Sequence, residues 1–417
     1  MEAPRAIEPD LVPGLPPVIV LEGPRMSGKT HTARKLHAAA IWDAYENLAD
    51  PVTAELAAHD LPAWLASLAP RTIIDEAQLL ADLPLQIKFL VDQAGSNRRF
   101  LLTGSASIGR TGLGGSDPLT GRVQRWTLAP LTAAETAGHP ENTRNLIERL
   151  FTGEVLKDLP PAAASPELPQ WQEQIRASGF PTLALNQLST RATQRWIRDM
   201  TTGLLTEKVL PDDRFDAGLA LRVLDACLRD AAGILNVSSL GTRLGLDPRT
   251  VERYLDIMEQ RFLLRFLPNL ATNPTRQNRA RSKIHPVDTA FAFESLTRAN
   301  PKTAQTATTL GHLLESYVVN QILPCLQFAP WPVEAFYWRH AKTHQEVDLV
   351  LSDTEGRRVG IEVKSSSQVG LKDTAGLQAL DQKMGLDRSY VVYTGTSVLP
   401  LGERCWALPL TAFLGPN

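Results

Sequence analysis

Residues 23–30 read GPRMSGKT, a complete G-x-x-x-x-G-K-[ST] phosphate-binding pattern. In such a loop the glycines let backbone N–H groups close around phosphate oxygens, and the helix that follows adds the partial positive charge of its N-terminus. Gly23, Pro24, Arg25, Met26, Ser27, Gly28, Lys29 and Thr30 are therefore the expected nucleotide-binding residues. Lys29 is expected to reach the β- and γ-phosphates, and the Thr30 hydroxyl to bind Mg²⁺. Further on, Ile73-Ile74-Asp75-Glu76 ends an apolar run with two acids. Asp75 suits Mg²⁺ coordination, and Glu76 suits polarising the attacking water. Thr103 stands at the polar tip of another apolar run, Leu101-Leu102-Thr103. It is placed either to sense the γ-phosphate and hold the water or simply to cap a strand. Arg122, in TGRVQRW, follows a glycine-rich loop at 109–115. It reads either as a finger into a neighbouring subunit's nucleotide or as a surface arginine. This set of residues points to ATP hydrolysis with Mg²⁺.

A second group of charged residues lies near the C-terminus. Asp348 sits in EVDLVL, and Glu362 and Lys364 sit in GIEVKSS. Alternate residues of a strand share a face, so Glu362 and Lys364 point together while Val363 points away. Asp348, on a neighbouring strand, is expected to meet Glu362 across a Mg²⁺ ion, with Lys364 orienting the attacking water. Glu315, on the predicted helix GHLLESYVV, is a further expected ligand, since oxygen donors suit Mg²⁺ or Mn²⁺. The bland alternative is a strand edge with solvated charges.

Between these groups, residues 236–286 carry nine Lys/Arg against four Asp/Glu, in a chain whose formal net charge is −2. Asp247-Pro248 opens a predicted helix well, because Asp caps it and Pro fits its first turn. That helix, with Arg249 and Arg253, reads as the second helix of a helix-turn-helix. RQNRARSK (276–283), with Arg276, Arg279, Arg281 and Lys283, reads as a basic wing on DNA phosphates. No clear base-reading set is present, so phosphate contacts are expected. The competing reading is a protein–protein module.

The elements that must hold these residues follow from pattern. VIVLEG (18–23), RTIIDEA (71–77) and RRFLLTGS (98–105) are short apolar runs ending in polar tips. A helix is predicted from about Lys29 to Tyr45, so the first 130 residues read as a parallel α/β sheet covered on both faces. Residues 131–233 read as helical, 234–290 as a winged helix, and 305–417 as a second α/β unit. The length, 417 residues, allows two or three domains. Hydrophobic residues at 43% and charged residues at 21% exclude a largely disordered or coiled-coil chain. No apolar run approaches the ~20 residues of a membrane span. The N-terminus lacks the features of a secretory signal. Cys227, Cys325 and Cys405 lie far apart without metal-ligand spacing, so the cytoplasm is the expected compartment.

The order of these motifs resembles one family, the prokaryotic AAA-type ATPases that carry a C-terminal DUF4143 domain. The resemblance rests on GPRMSGKT, IIDEAQ (73–78), FLLTGSAS (100–107), GRV (121–123) and SGFP (178–181). It continues through NVSSLGTRLGLDPRTVERYLD (236–256), HLLESYVVNQ (312–321), YWRH (337–340), EVDLVL (346–351) and GIEVKSS (360–366). It implies an AAA-type core, a winged helix, and a C-terminal domain similar to PD-(D/E)XK (restriction-endonuclease-like) nucleases. HPVDTAFA (285–292) and TEKVLPDD (206–213) depart from the family pattern. The implied activity is ATP hydrolysis, with DNA as partner. The leading reading is an ATP-driven protein that remodels DNA, duplex or branched, in recombination or repair, as a homo-oligomer of which a hexameric ring is one form. An ATP-gated Mg²⁺-dependent endonuclease and a nucleotide-dependent switch acting on a protein are the alternatives.

Overall fold

Val18–Glu22 (β1) consists of five consecutive buried residues, the pattern of a strand covered on both faces. In the computed structural model, which describes residues 3–93, 95–105, 108, 117–156, 171–186, 188–206, 215–270 and 281–413, β1 lies inside a parallel sheet. Its companions are β2 (Ala44–Asn47), β3 (Arg71–Asp75), β4 (Arg99–Gly104) and β5 (Val123–Thr127), in the order β2-β3-β4-β1-β5. Parallel pairing demands crossovers, and the helices Lys29–Ala38, Pro51–His59, Leu61–Ser67 and Leu83–Val91 supply them. Val18, Val20, Ile74, Phe100, Leu102, Leu83 and Ile87 form the core. The carboxyl ends of β1, β3 and β4 come together on one edge, where open α/β sheets bind ligands.

One sequence expectation fails in this unit. The helix predicted to reach Tyr45 ends at Ala38. Ala40 adopts a positive φ of 57°, and the buried Trp42 donates from Nε1 to the Leu11 carbonyl at 2.9 Å. The chain is thereby drawn out of the helix, and residues 44–47 pair with β3 instead.

Residues Arg5–Ala129 make one compact unit, and Pro130–Asn417 with Met1–Pro4 make the other. In the second, helices Val237–Leu244 and Pro248–Gln260 are each capped by a side chain, Asn236 on Ser239 N–H and Asp247 on Thr250 N–H. An antiparallel pair follows, β6 (Leu264–Leu267) with β7 (Lys283–Pro286). A six-stranded mixed sheet is built from β8 (Val333–Arg339), β9 (Glu346–Asp353), β10 (Arg358–Lys364), β11 (Arg388–Tyr393), β12 (Leu399–Gly402) and β13 (Cys405–Pro409). Its order is β12-β13-β11-β10-β9-β8. Helix Ala307–Ile322 shares a core with Leu349, Leu351, Val359 and Ile361. On the other face Leu377 and Leu380, of helix Ala375–Met384, pack with Val350 and Val391.

The SGFP turn is fixed by a distant carboxylate. Asp288, only 5% exposed, accepts from Ser178 Oγ and Gly179 N, both at 2.8 Å, and from Ala290 N at 2.9 Å. Burial raises its pKa against these hydrogen bonds, which lower it. Asp288→Ala removes a helix cap and two charge-assisted bonds at once. The expected loss is about 2–4 kcal/mol, read from a denaturant titration of the full chain.

Candidate nucleotide site and C-terminal carboxylate cluster

Gly23, Met26 and Gly28 take positive φ values of 150°, 65° and 104°, folding residues 23–28 over the start of helix Lys29–Ala38. Gly23 has no room for a side chain, because a Cβ would stand 2.4 Å from the Leu128 carbonyl oxygen. Gly23→Ala is expected to cost on the order of 1–3 kcal/mol in backbone strain alone and to weaken nucleotide binding, measured with a fluorescent ATP analogue. Lys29 is 6% exposed. Its ammonium donates to the carbonyls of Gly23 at 2.9 Å and Pro24 at 2.8 Å. Burial lowers its pKa to about 8, although the charges of Glu76 and Asp75 pull upward. Ser27 Oγ is buried without a hydrogen-bond partner among the described residues. Arg25 and Met26 are exposed, while Thr30 is half-buried. A buried cation held by loop carbonyls, beside an orphaned hydroxyl, suits a phosphate group.

Asp75 closes β3 and is 1% exposed. Its carboxylate accepts from Tyr45 OH at 2.7 Å, from the Thr103 hydroxyl, and from Glu76 N at 3.1 Å. Thr103 thus orients Asp75 from β4; its hydroxyl is not presented to solvent, since the residue is fully buried. The contribution of Tyr45 was invisible in the sequence, because it arises from β2 pairing with β3. Burial and the Asp75 hydrogen bond raise the Tyr45 pKa to about 12, keeping the phenol a donor. Glu76 takes a left-handed conformation, φ 57°, which turns its side chain away from the strand. Gln78 Nε2 donates to Glu76 Oε2 at 2.5 Å and lies 3.4 Å from Ser105 Oγ.

The C-terminal acids are arranged differently from expectation. Lys283, expected on an exposed wing, is 1% exposed. Its Nζ lies 2.6 Å from Glu315 Oε1, 2.5 Å from Glu346 Oε1 and 3.0 Å from Asp348 Oδ1. Burial opposes its charge, but the three carboxylates hold the ammonium well above its ordinary pKa. Asp348 Oδ2 accepts from Val363 N at 2.9 Å. Glu362 Oε1 accepts from Lys364 Nζ at 2.6 Å. Burial and the nearby Asp348 charge raise the Glu362 carboxyl above the usual carboxylate range. Among the described residues no group of three His, Cys, Asp or Glu is disposed to hold a metal ion.

Family models match three stretches: an AAA domain over residues 15–137, a domain of unknown function, DUF8612, over 168–303, and another, DUF4143, over 310–413. The chain thus carries an AAA domain followed by a C-terminal DUF4143 domain, the order found in AAA-type proteins of that kind. Uncharacterized proteins of Mycobacterium bovis and Mycobacterium tuberculosis are each 28% identical to it over 410 residues, covering 95% of this chain and 81% of the relative. Among solved structures, the Thermotoga maritima RuvB Holliday junction branch migration motor matches at 21% identity and TM-score 0.27, covering 64% of this chain and 83% of RuvB. The Aeropyrum pernix ORC1 protein, solved in complex with DNA, matches at 14% and TM-score 0.27, covering 71% and 90%. TM-scores this low carry nothing over to this chain.

Within the AAA domain, Arg122 pairs with Asp92 and donates to the Thr120 carbonyl at 3.0 Å. The glycine-rich stretch before it, 109–115, lies outside the described residues, as do Arg276 and Arg279. The basic surplus of residues 236–286 is not one surface patch. Arg261 is buried, Arg243 pairs with Asp230, and Arg253 is half-buried with its guanidinium over the Tyr254 ring. Arg249 and Arg281 are exposed. Arg281 lines a cleft of about 560 Å³ with Asn236, Ser238, Pro248, Glu252 and Arg339. No helix among the described residues is long and apolar enough to cross a membrane.

Proposed function

We propose that this AAA protein hydrolyses ATP at the 23–30 loop and uses the nucleotide cycle to remodel DNA, branched DNA included. The observation that carries the ATPase reading is the convergence of Lys29, Asp75 and Glu76 on the carboxyl edge of one parallel sheet. Thr30 and Asp75 would hold Mg²⁺, which when bound neutralises charge on the phosphate oxygens. Lys29 and the backbone N–H groups of the loop bind and orient the phosphates. Tyr45 and Thr103 keep the Asp75 carboxylate aimed. Glu76 takes up the proton of the attacking water, and its bond to Gln78 holds it in place until then.

DNA contact is read onto the capped helices at 237–260 and the β6–β7 pair, as a winged helix. Arg281 and Arg339, which line the cleft of about 560 Å³, and the exposed Arg249 on the second helix supply phosphate contacts. The mixed sheet with helices on both faces supports a PD-(D/E)XK-like fold for the DUF4143 domain. Leu85 and Phe89, exposed four residues apart on one helix of the AAA domain, support self-association, with Arg122 reaching a neighbour once released from Asp92.

The test is the ATPase rate across titrations of duplex, single-stranded and four-way DNA. The expected result is a rate that rises with DNA, most with the branched form, and loses this response in Arg249→Ala/Arg281→Ala. A flat rate sinks the DNA reading. It would favour the second reading, a switch acting on a protein, for which Glu252, Asp256 and Glu259 speak by facing solvent on the same helix as Arg249.

A further inference from the structure

Lys283 is held by its backbone and not merely by its side chain. All four residues of β7 are buried. Lys283 pairs with Leu267 on one side and bridges Ile234 on the other. Ser282 O accepts from Leu235 N at 2.8 Å, and Ile284 N donates to Gly233 O at 2.9 Å. Alternate strand residues share a face, and His285, two residues on, confirms the direction, with Nδ1 3.0 Å from the Ser316 hydroxyl. The ammonium therefore enters beside Glu315 because two neighbouring segments aim the strand there.

What it meets is complete. An ammonium has three donors, and Lys283 has three carboxylate oxygens within 3.0 Å, from one helix and from two positions on β9. The same oxygens, with their hard anionic character, would otherwise suit Mg²⁺ or Mn²⁺. A divalent ion on the oxygens of Glu315 and Asp348 that Nζ holds would have to displace it, and the second oxygen of Asp348 already accepts from Val363 N. The expected metal ligands thus do not fit a metal ion while β7 is in place.

We propose that Lys283 is the resident cation of the DUF4143 domain, occupying the position of a catalytic metal and closing this site to metal-dependent hydrolysis. The domain then serves as a grip or scaffold, and the former ligands serve stability. This inference stands independently of the ATPase reading, since its residues all lie outside the AAA domain.

The test is Mn²⁺ binding by the nucleotide-free full chain, followed by the electron paramagnetic resonance signal of free Mn²⁺. Wild type is expected to retain none at this cluster. Lys283→Ala is expected to gain one equivalent, weakened at least about tenfold by adding Asp348→Asn, and to melt higher with Mn²⁺ than without it. Mn²⁺ retained at the phosphate loop would instead respond to Thr30→Ala and ignore Asp348→Asn, so the two sites are separable. Two results overturn the proposal: wild type that retains Mn²⁺ and loses it on Asp348→Asn, or folded Lys283→Ala that gains no site. Should Lys283→Ala fail to fold even with Mn²⁺, wild type against Asp348→Asn decides: no Mn²⁺ lost upholds it, one equivalent lost overturns it.

Discussion

Glu76→Gln is expected to lower the ATP turnover rate by about 10²–10⁴-fold while ATP still binds, the range by which a positioned general base contributes. The amide keeps the size of the carboxyl and its reach to Gln78, so the loop that binds the phosphates is undisturbed. What it loses is the ability to accept a proton from water. Glu76 is well suited to that task because it sits one residue past the strand end, in a left-handed conformation, with its carboxylate bonded to Gln78 and not to Tyr45 or Thr103. Single-turnover hydrolysis alongside nucleotide binding separates the two effects. Turnover within about tenfold of wild type would place the base elsewhere.

Lys283→Met should produce the largest change in stability. The side chain keeps most of its length and apolar stem, but three carboxylates are left sharing a buried site without their cation. Removing one partner from a buried ion pair typically costs about 3–5 kcal/mol, and here the remaining charges also repel one another. Hydrogen exchange across residues 346–364 would report the loss locally, which matters in a chain of two units that need not unfold together. Neutralising the partners should restore much of it: Lys283→Met with Glu315→Gln and Glu346→Gln is expected to exchange more slowly than Lys283→Met alone. Equal exchange in wild type and Lys283→Met would mean that the carboxylates carry little charge in the fold.

The contrast between the two sites explains what the sequence could reveal. The phosphate loop was readable because its parts are consecutive: eight residues, a strand before them and a helix after. Asp75 and Glu76 were readable because strand ends in a parallel sheet collect on one edge. Tyr45 was not, since its link to Asp75 depends on β2, whose first two residues fall at the end of the helical pattern. Asp288 and the SGFP turn are 110 residues apart in sequence, so the carboxylate looked like a departure from pattern and not like the cap it is. Lys283 was misread for a related reason. Its neighbours Arg279 and Arg281 made it look like one more phosphate contact, whereas its partners lie 32, 63 and 65 residues downstream. Charge counting treats every lysine as solvated; burial decides which ones are, and burial is a property of the assembled sheet.

The clasp between β7 and the acids also sets where the chain can be cut. A fragment beginning near residue 305 would contain every strand of the six-stranded sheet and the helix bearing Glu315, yet it would lack Lys283, the cation that Glu315, Glu346 and Asp348 share. It would also lose Leu270, whose N–H donates to the Tyr337 carbonyl at 2.7 Å along the outer edge of β8. Modular as it looks in sequence, the C-terminal domain is expected to need the preceding hairpin as its counter-charge when it is transplanted to another protein.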